Sequence, residues 1–193
     1  IFTNVSDRIW EYAETRFALQ HSADELCKVL EQQGFSVERG LADMPDAFIA
    51  TFGSGKPVIG ILGEYDALPK LSQAADVTQR TVLEEGKGGH GCGHHLLAAG
   101  SLAGAVGIKD YMQEKSLPGT IKYFGCPAEE SGSGKAFMAR ANLFDGLDGI
   151  LTWHPMTETT IWGCSSLANY QVYFSFQGIS SHAAAAPEMG RSA

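Results

Sequence analysis

Basic residues are in deficit, long apolar runs are missing and cysteines are few, and each shortage closes off a class of protein. The 14 Lys and Arg stand against 22 Asp and Glu, a formal charge of −8. Such a balance leaves no footprint for a phosphate backbone, so no nucleic-acid partner is expected. No apolar stretch approaches the ~20 residues of a membrane helix. The start, Ile1-Phe2-Thr3-Asn4, has neither a basic segment nor an apolar one after it, so export is not expected and a cytoplasmic location is. Cys27, Cys92, Cys126 and Cys164 are even in number, but 193 residues have no need of staples and one of the four sits in a histidine cluster; all four are read as reduced thiols. There is no internal repeat, low-complexity tract or flexible linker.

What is present is an ordinary globular composition, 44% hydrophobic and 19% charged, enough for one domain plus a further fragment. Ser6 is placed to cap a helix over 6–19, and Ser22 with Glu25 forms a capping box for a second helix that stops at Gly34. Strands are expected over 35–41, 47–52 and 57–62, the last an apolar run typical of a buried strand. A polar, aperiodic loop over 71–89 is long enough that it should either carry function or be mobile. A helix rich in Ala and Leu over 94–115, a strand over 120–124, a helix over 135–143 and strands over 149–153 and 169–176 complete the pattern. Strands alternating with helices predict the α/β class.

Four segments carry potential ligands: Glu64-Tyr65-Asp66, His90-Gly91-Cys92-Gly93-His94-His95, Glu129-Glu130 and His154. Three follow predicted buried strands, and ligands of open α/β sheets collect beyond the carboxyl ends of strands. The fourth opens a helix, where free N–H groups favour the thiolate of Cys92. One glycine between Cys92 and His94 permits a backbone that aims both side chains at one ion. A mixed Cys, His and Glu set suits catalytic zinc or manganese better than a closed structural site. Pro127 and the Ser131-Gly132-Ser133-Gly134 tract predict that the strand has ended before Glu129-Glu130, so that both carboxylates serve one pocket, one binding metal and one taking a proton.

Other readings stand beside this one. Cys92 could be a nucleophile with His94 or His90 as its base, in an acyl-transfer hydrolase. The chain could also bind metal or a partner without catalysis, Glu64 and Asp66 could simply end a strand, and Glu129-Glu130 could be a solvated turn. Two phosphate-loop lookalikes fail on context: Gly86-x-Gly88-x-x-Gly91 follows a polar loop instead of a strand, and Gly132-Ser133-Gly134-Lys135 lacks both the earlier glycine and the Ser or Thr of a P-loop.

Together with Gly63-Glu64-Tyr65-Asp66-Ala67-Leu68-Pro69, Cys126-Pro127-Ala128-Glu129-Glu130, Trp153-His154-Pro155 and Ser181-His182-Ala183-Ala184-Ala185-Ala186-Pro187, the histidine-rich segment resembles a metallopeptidase and amidohydrolase family. That family contains aminoacylases, glutamate carboxypeptidases, auxin-conjugate hydrolases and aminobenzoyl-glutamate hydrolases. The sequence around 64–69 and 182–193 resembles the branch of bacterial aminobenzoyl-glutamate hydrolase B subunits. The resemblance implies a central mixed sheet with helices on both faces over 1–167, and over 168–193 the start of a small α+β lid or dimerisation domain. It implies two divalent metal ions, Zn or Mn, with Cys92 bridging them and His94, Glu130 and His154 as further ligands. Glu129 then resembles the general base, Asp66 the aspartate that orients a ligand, and His182 the lid histidine that stabilises the tetrahedral oxyanion. Glu64 falls where many members place a metal-binding histidine, a duty His94 takes over in this branch, and His95 stands where Asp or Asn is common.

The implied reaction is hydrolysis of the amide bond of N-acyl amino acids or small peptides, p-aminobenzoyl-glutamate among them, in a homodimer or a heterodimer with a related subunit. A further histidine ligand and the return of the chain into the catalytic domain are expected beyond residue 193. On that expectation the 193 residues are a fragment, with an incomplete metal site and essentially no activity alone.

Overall fold

A computed structural model describes residues 1–163, 165–168, 170 and 172–193. They fall into two compact units, Ile1–Thr159 and Thr160–Ala193. In the first, the described residues form a five-stranded mixed sheet in the order β1-β2-β4-β3-β5, where β1 is Ser36–Arg39, β2 Phe48–Ser54, β3 Val58–Glu64, β4 Gly119–Cys126 and β5 Gly149–Leu151. β2 runs antiparallel to both β1 and β4, whereas β3 lies parallel to both β4 and β5.

Successive side chains of a strand face opposite sides, and the two cores follow that period. Phe48, Ala50, Ile61, Ile121 and Tyr123 pack under three helices, α1 (Phe2–Tyr12), α2 (Gln20–Gln32) and α3 (His94–Lys115). Ile49, Leu62, Phe124 and Cys126 face the other way, against Met44, Met138 and Leu143. Met138 belongs to α5 (Gly134–Arg140), which follows α4 (Glu129–Gly132), a single distorted turn. Helices therefore cover both faces of the sheet, as the sequence predicts.

Helix starts differ from those expected. α1 begins at Phe2, and Ser6 is buried inside it instead of capping it. α2 begins at Gln20 with no side-chain bond from its cap residue, so Ser22 and Glu25 are interior. Glu14 does the capping from upstream: its carboxylate accepts from the His21 and Ser22 N–H groups and from the Ser22 hydroxyl. An acid outside the helix meets the same orphan donors and the same end of the dipole as a capping box does. β5 ends two residues before the expected 153, and α5 three before 143. The 71–89 segment has no helix or strand, as expected.

In the second unit the expected strand over 169–176 is not formed at Tyr170 or over 172–176; Asn169 and Gln171 lie outside the described residues. A strand exists only through its ladder, and none of the described ladders or bridges includes this segment. Tyr170, Tyr173, Phe174 and Phe176 are exposed. The helix expected from Pro187 is one 3₁₀ turn, Pro187–Met189, beside an isolated bridge between Ile179 and Arg191. Among the described residues no helix is long and apolar enough to cross a membrane.

Candidate metal centre

Asp66 is the hub of the site. It lies two residues beyond the end of β3 and is 1% exposed, so its charge needs partners. Oδ1 accepts from His94 Nδ1 at 3.1 Å, and Oδ2 accepts from the Glu130 N–H at 2.8 Å. Nδ1 of His94 also faces the Asp66 carbonyl at 3.0 Å. Both partners can only accept, so the proton sits on Nδ1 and the lone pair on Nε2. Nε2 is buried and makes no hydrogen bond. It looks instead at Oε2 of Glu64, 3.1 Å away, and Oε2 of Glu129, 3.7 Å away.

Cys92 and His154 approach from the other side. Gly93 between Cys92 and His94 has φ 78°, a left-handed conformation. A Cβ there would also press on the Pro155 ring at 3.1 Å. This turn aims the Cys92 thiol at Nε2 of His154, 3.4 Å away. His154 Nδ1 faces the Pro155 carbonyl at 3.0 Å, which leaves Nε2 as the acceptor. The approach is fixed by its neighbour: Trp153 donates from Nε1 to the Leu97 carbonyl, and its ring lies against Gly100 of α3, where a Cβ would meet it at 2.6 Å. Ligand atoms of Cys92, His94 and His154 fall within 4.8 Å of one another, and so do those of Glu64, His94 and Glu129.

The distorted α4 turn makes the second cluster possible. β4 ends at Cys126, and Ala128 (φ 55°) and Ser131 (φ 61°) turn the chain back on itself. Glu129 is thereby held near His94, while Glu130 stands beside Cys92. The acids crowd one another. Burial, then Glu64, raises the Glu129 carboxyl above the ordinary range, against the pull of Lys135. Burial alone would lower His94, but Asp66, Glu64 and Glu129 outweigh it and raise the imidazole.

The thiolate expected of Cys92 at the helix start is not favoured here. Burial, then the Glu130 carboxylate, pushes the thiol up to about 12. Nor does His90 serve it: the His90 ring bonds the Ile9 carbonyl through Nε2 at 2.9 Å, lies tilted against His95 with ring centroids 4.9 Å apart, and is pushed down to about 4 by burial and then by His95. The imidazole within hydrogen-bond reach of Cys92 is that of His154, a pairing the nucleophile reading does not contain. Cys27 and Cys126 are buried free thiols of the core, and Cys164 lies outside the described residues.

Lys135 is the functional-site residue that sequence reasoning misses. Its Nζ lies 2.5 Å from Oε1 of Glu64. The one signal is a lysine opening a helix just after an acidic pair, which in the sequence reads only as a failed phosphate loop. His182 belongs to the second unit, where Nδ1 accepts from the Ala184 and Ala185 N–H groups at 3.2 and 3.0 Å. Its remaining proton is thus on Nε2, which can donate.

The donor set fits a divalent cation. A buried imidazole nitrogen with no hydrogen bond faces carboxylate oxygens and a thiol, and Lys135 is the ammonium that offsets some of their charge.

The chain is 47% identical over 192 residues to the B subunit of p-aminobenzoyl-glutamate hydrolase from Escherichia coli (strain K12), an alignment covering 100% of this chain and 40% of that protein. It is 29% identical to Xaa-Arg dipeptidase of Mus musculus, over 96% of this chain and 42% of that one. The chain thus spans about two-fifths of the length of these relatives. Among solved structures, a Bacillus subtilis protein described as a dinuclear metal-binding peptidase superposes with TM-score 0.65 at 22% identity, covering 77% of this chain and 41% of its own. An aminobenzoyl-glutamate utilization protein from Klebsiella pneumoniae gives 0.56 at 15% identity, with 77% and 42% coverage. These two share the fold. The family profile itself runs over residues 60–175, from β3 through the ligand-bearing turns and past His154, and the chain belongs to peptidase family M20/M25/M40.

Proposed function

We propose that this chain carries the metal-binding part of a dinuclear, metal-dependent amidohydrolase that cleaves the amide bond of N-acyl amino acids or small peptides, with p-aminobenzoyl-glutamate the leading substrate. The observation that carries the proposal is the lone-pair face of His94, on which a thiol, an imidazole and two carboxylates converge. The 47% identity to a p-aminobenzoyl-glutamate hydrolase supports the substrate. Cys92, His94, His154 and Glu130 would hold the ions, zinc or manganese. When bound, such ions supply Lewis acidity, acidifying water and polarising an amide carbonyl.

The protein's own groups do the rest. Glu129, next to the ligands but itself partly exposed, is the general base: it takes a proton from the attacking water and passes it to the leaving nitrogen. Asp66 holds His94 in the tautomer that presents Nε2, and the same carboxylate fixes the Glu130 backbone. His182, with a donor at Nε2, is the oxyanion partner assigned to residues 168–193, the start of a lid. A homodimer or a heterodimer is proposed, supported by the Escherichia coli relative being one subunit of its hydrolase. A cytoplasmic site is proposed from the free thiols at Cys27, Cys92 and Cys126.

The test is hydrolysis of p-aminobenzoyl-glutamate by the full-length protein before and after chelation. Activity should disappear with the metal and return with Mn²⁺ or Zn²⁺. Activity that survives chelation and dies with a thiol alkylator would instead make Cys92 the nucleophile.

A further inference from the structure

The Glu64 carboxylate is split between two neighbours of opposite character. Oε1 is 2.5 Å from the Lys135 ammonium, and Oε2 is 3.1 Å from Nε2 of His94. The first contact is an ion pair, and Lys135 enters it from the first turn of α5, anchored by the buried Met138. The second is not a hydrogen bond, although its length would suit one. Nδ1 of His94 carries the proton given to Asp66, so in the neutral imidazole two lone-pair atoms face each other inside the protein. Such a contact is held only by a shared cation, a proton on Nε2 or a metal ion, and the Glu129 carboxylate on the same nitrogen makes a three-donor set that suits the ion. Glu64 is 7% exposed, so its carboxylate has little room to turn away.

We propose that Glu64 is itself a ligand of the ion at His94, through Oε2 alone, and that Lys135 is the positioning residue that keeps it to one oxygen. The proposal rests on the metal-dependent reading above. Carboxylates bind cations through one or both oxygens, and a catalytic site has to keep a coordination position open. With Oε1 held by the ammonium, Glu64 adds one donor and cannot close the site by chelation. Lys135 acts through Glu64 and touches no ligand nitrogen or sulfur in this scheme.

The test is Co²⁺ binding to the full-length, metal-free protein, followed by calorimetry and by the visible absorption of the ion, which weakens as its coordination number rises. Glu64→Gln should lower the affinity for one ion by at least the roughly 10- to 100-fold that loss of an outer partner costs. Lys135→Met should leave affinity undiminished while weakening the absorption, because the freed oxygen joins the ion; Lys135→Arg should restore the original spectrum. An unchanged isotherm for Glu64→Gln overturns the ligand role, and an unchanged spectrum for Lys135→Met overturns the positioning role. Should Lys135→Met fail to fold, Lys135→Ala takes its place with the same expected weakening of the absorption, and an unchanged spectrum there overturns the positioning role. A wild-type protein that takes up no Co²⁺ removes the metal-dependent reading itself; uptake with an indifferent Glu64→Gln removes only this inference.

Discussion

The two donor clusters that meet at His94 differ in chemistry and in origin. Cys92 and His154 offer soft or borderline donors from two irregular segments, the turn before α3 and the stretch after β5. Glu64 and Glu129 offer hard oxygens from the end of one central strand and the turn after its parallel neighbour. One imidazole nitrogen can bind only one ion, so the clusters cannot be two independent copies of one site. The soft side is shaped by loop geometry, through Gly93 and the Trp153 anchor, while the hard side is shaped by sheet register and by Lys135. A site assembled in this way should respond differently to damage on its two sides.

The largest expected effect is at the shared member. His94→Ala should cost the purified protein at least one of its two ions and bring hydrolysis to background. Retention of both full equivalents would mean that neither cluster depends on His94. Next come the paired acids. Glu129→Gln should keep its metal and lose turnover by roughly 10² to 10⁴, the range of a general base. Glu130→Gln should weaken metal uptake instead. Equal metal loss in both variants would cancel this division of labour.

The halves of this comparison are unequally legible in the sequence. Cys92-Gly93-His94 is readable because its geometry is local: one glycine, a left-handed turn and two ligand-type side chains. Glu64 and Asp66 are readable as residues ending a buried strand. The roles of neighbours distant in sequence are not. Lys135 has no local reason to meet Glu64; the parallel pairing of β3 with β4 brings them together. Helix starts fail for the same reason, since Glu14 outcompetes Ser22 from a position that no capping pattern includes. The thiolate expected of Cys92 is opposed in the metal-free site, where burial beside carboxylates outweighs the helix end.

A smaller change separates support from ligation. Asp66→Asn leaves all proposed ligands in place but weakens the bond that sets the His94 tautomer, and it should cost roughly 10- to 100-fold in metal affinity on both sides. Gly93→Ala should act on one side only. Its left-handed φ and the Pro155 contact should cost about 1–3 kcal/mol of stability, read by thermal or denaturant unfolding, and should displace Cys92 more than Glu64. Equal disturbance of both clusters, read from Co²⁺ spectra, would show that the soft side is not set by its loop.

The smallest effect expected is at the foot of β5, the strand that leads to His154. Three residue pairs join β5 to β3, and Asp148 extends that seam. Its carboxylate accepts from the Val58 N–H at 2.8 Å and pairs with Lys56 at 2.9 Å. The Val58 bond, then Lys56, holds the Asp148 carboxyl below the usual range. A carboxyl lowered by folding contributes stability above its unfolded pKa of about 4, and that contribution is lost as the pH falls through the lower folded value. Because the group is exposed, the contribution is small. Asp148→Asn should therefore lower Tm by about 1–2 °C at neutral pH, and the gap from the wild type should close as the pH falls below about 4. Metal affinity on the Cys92 and His154 side should change by no more than about two- to threefold, since Trp153 anchors His154 independently of the seam. A loss there exceeding that of Asp66→Asn would reverse the ranking and make docking of β5, not the loops, the feature that shapes the soft side.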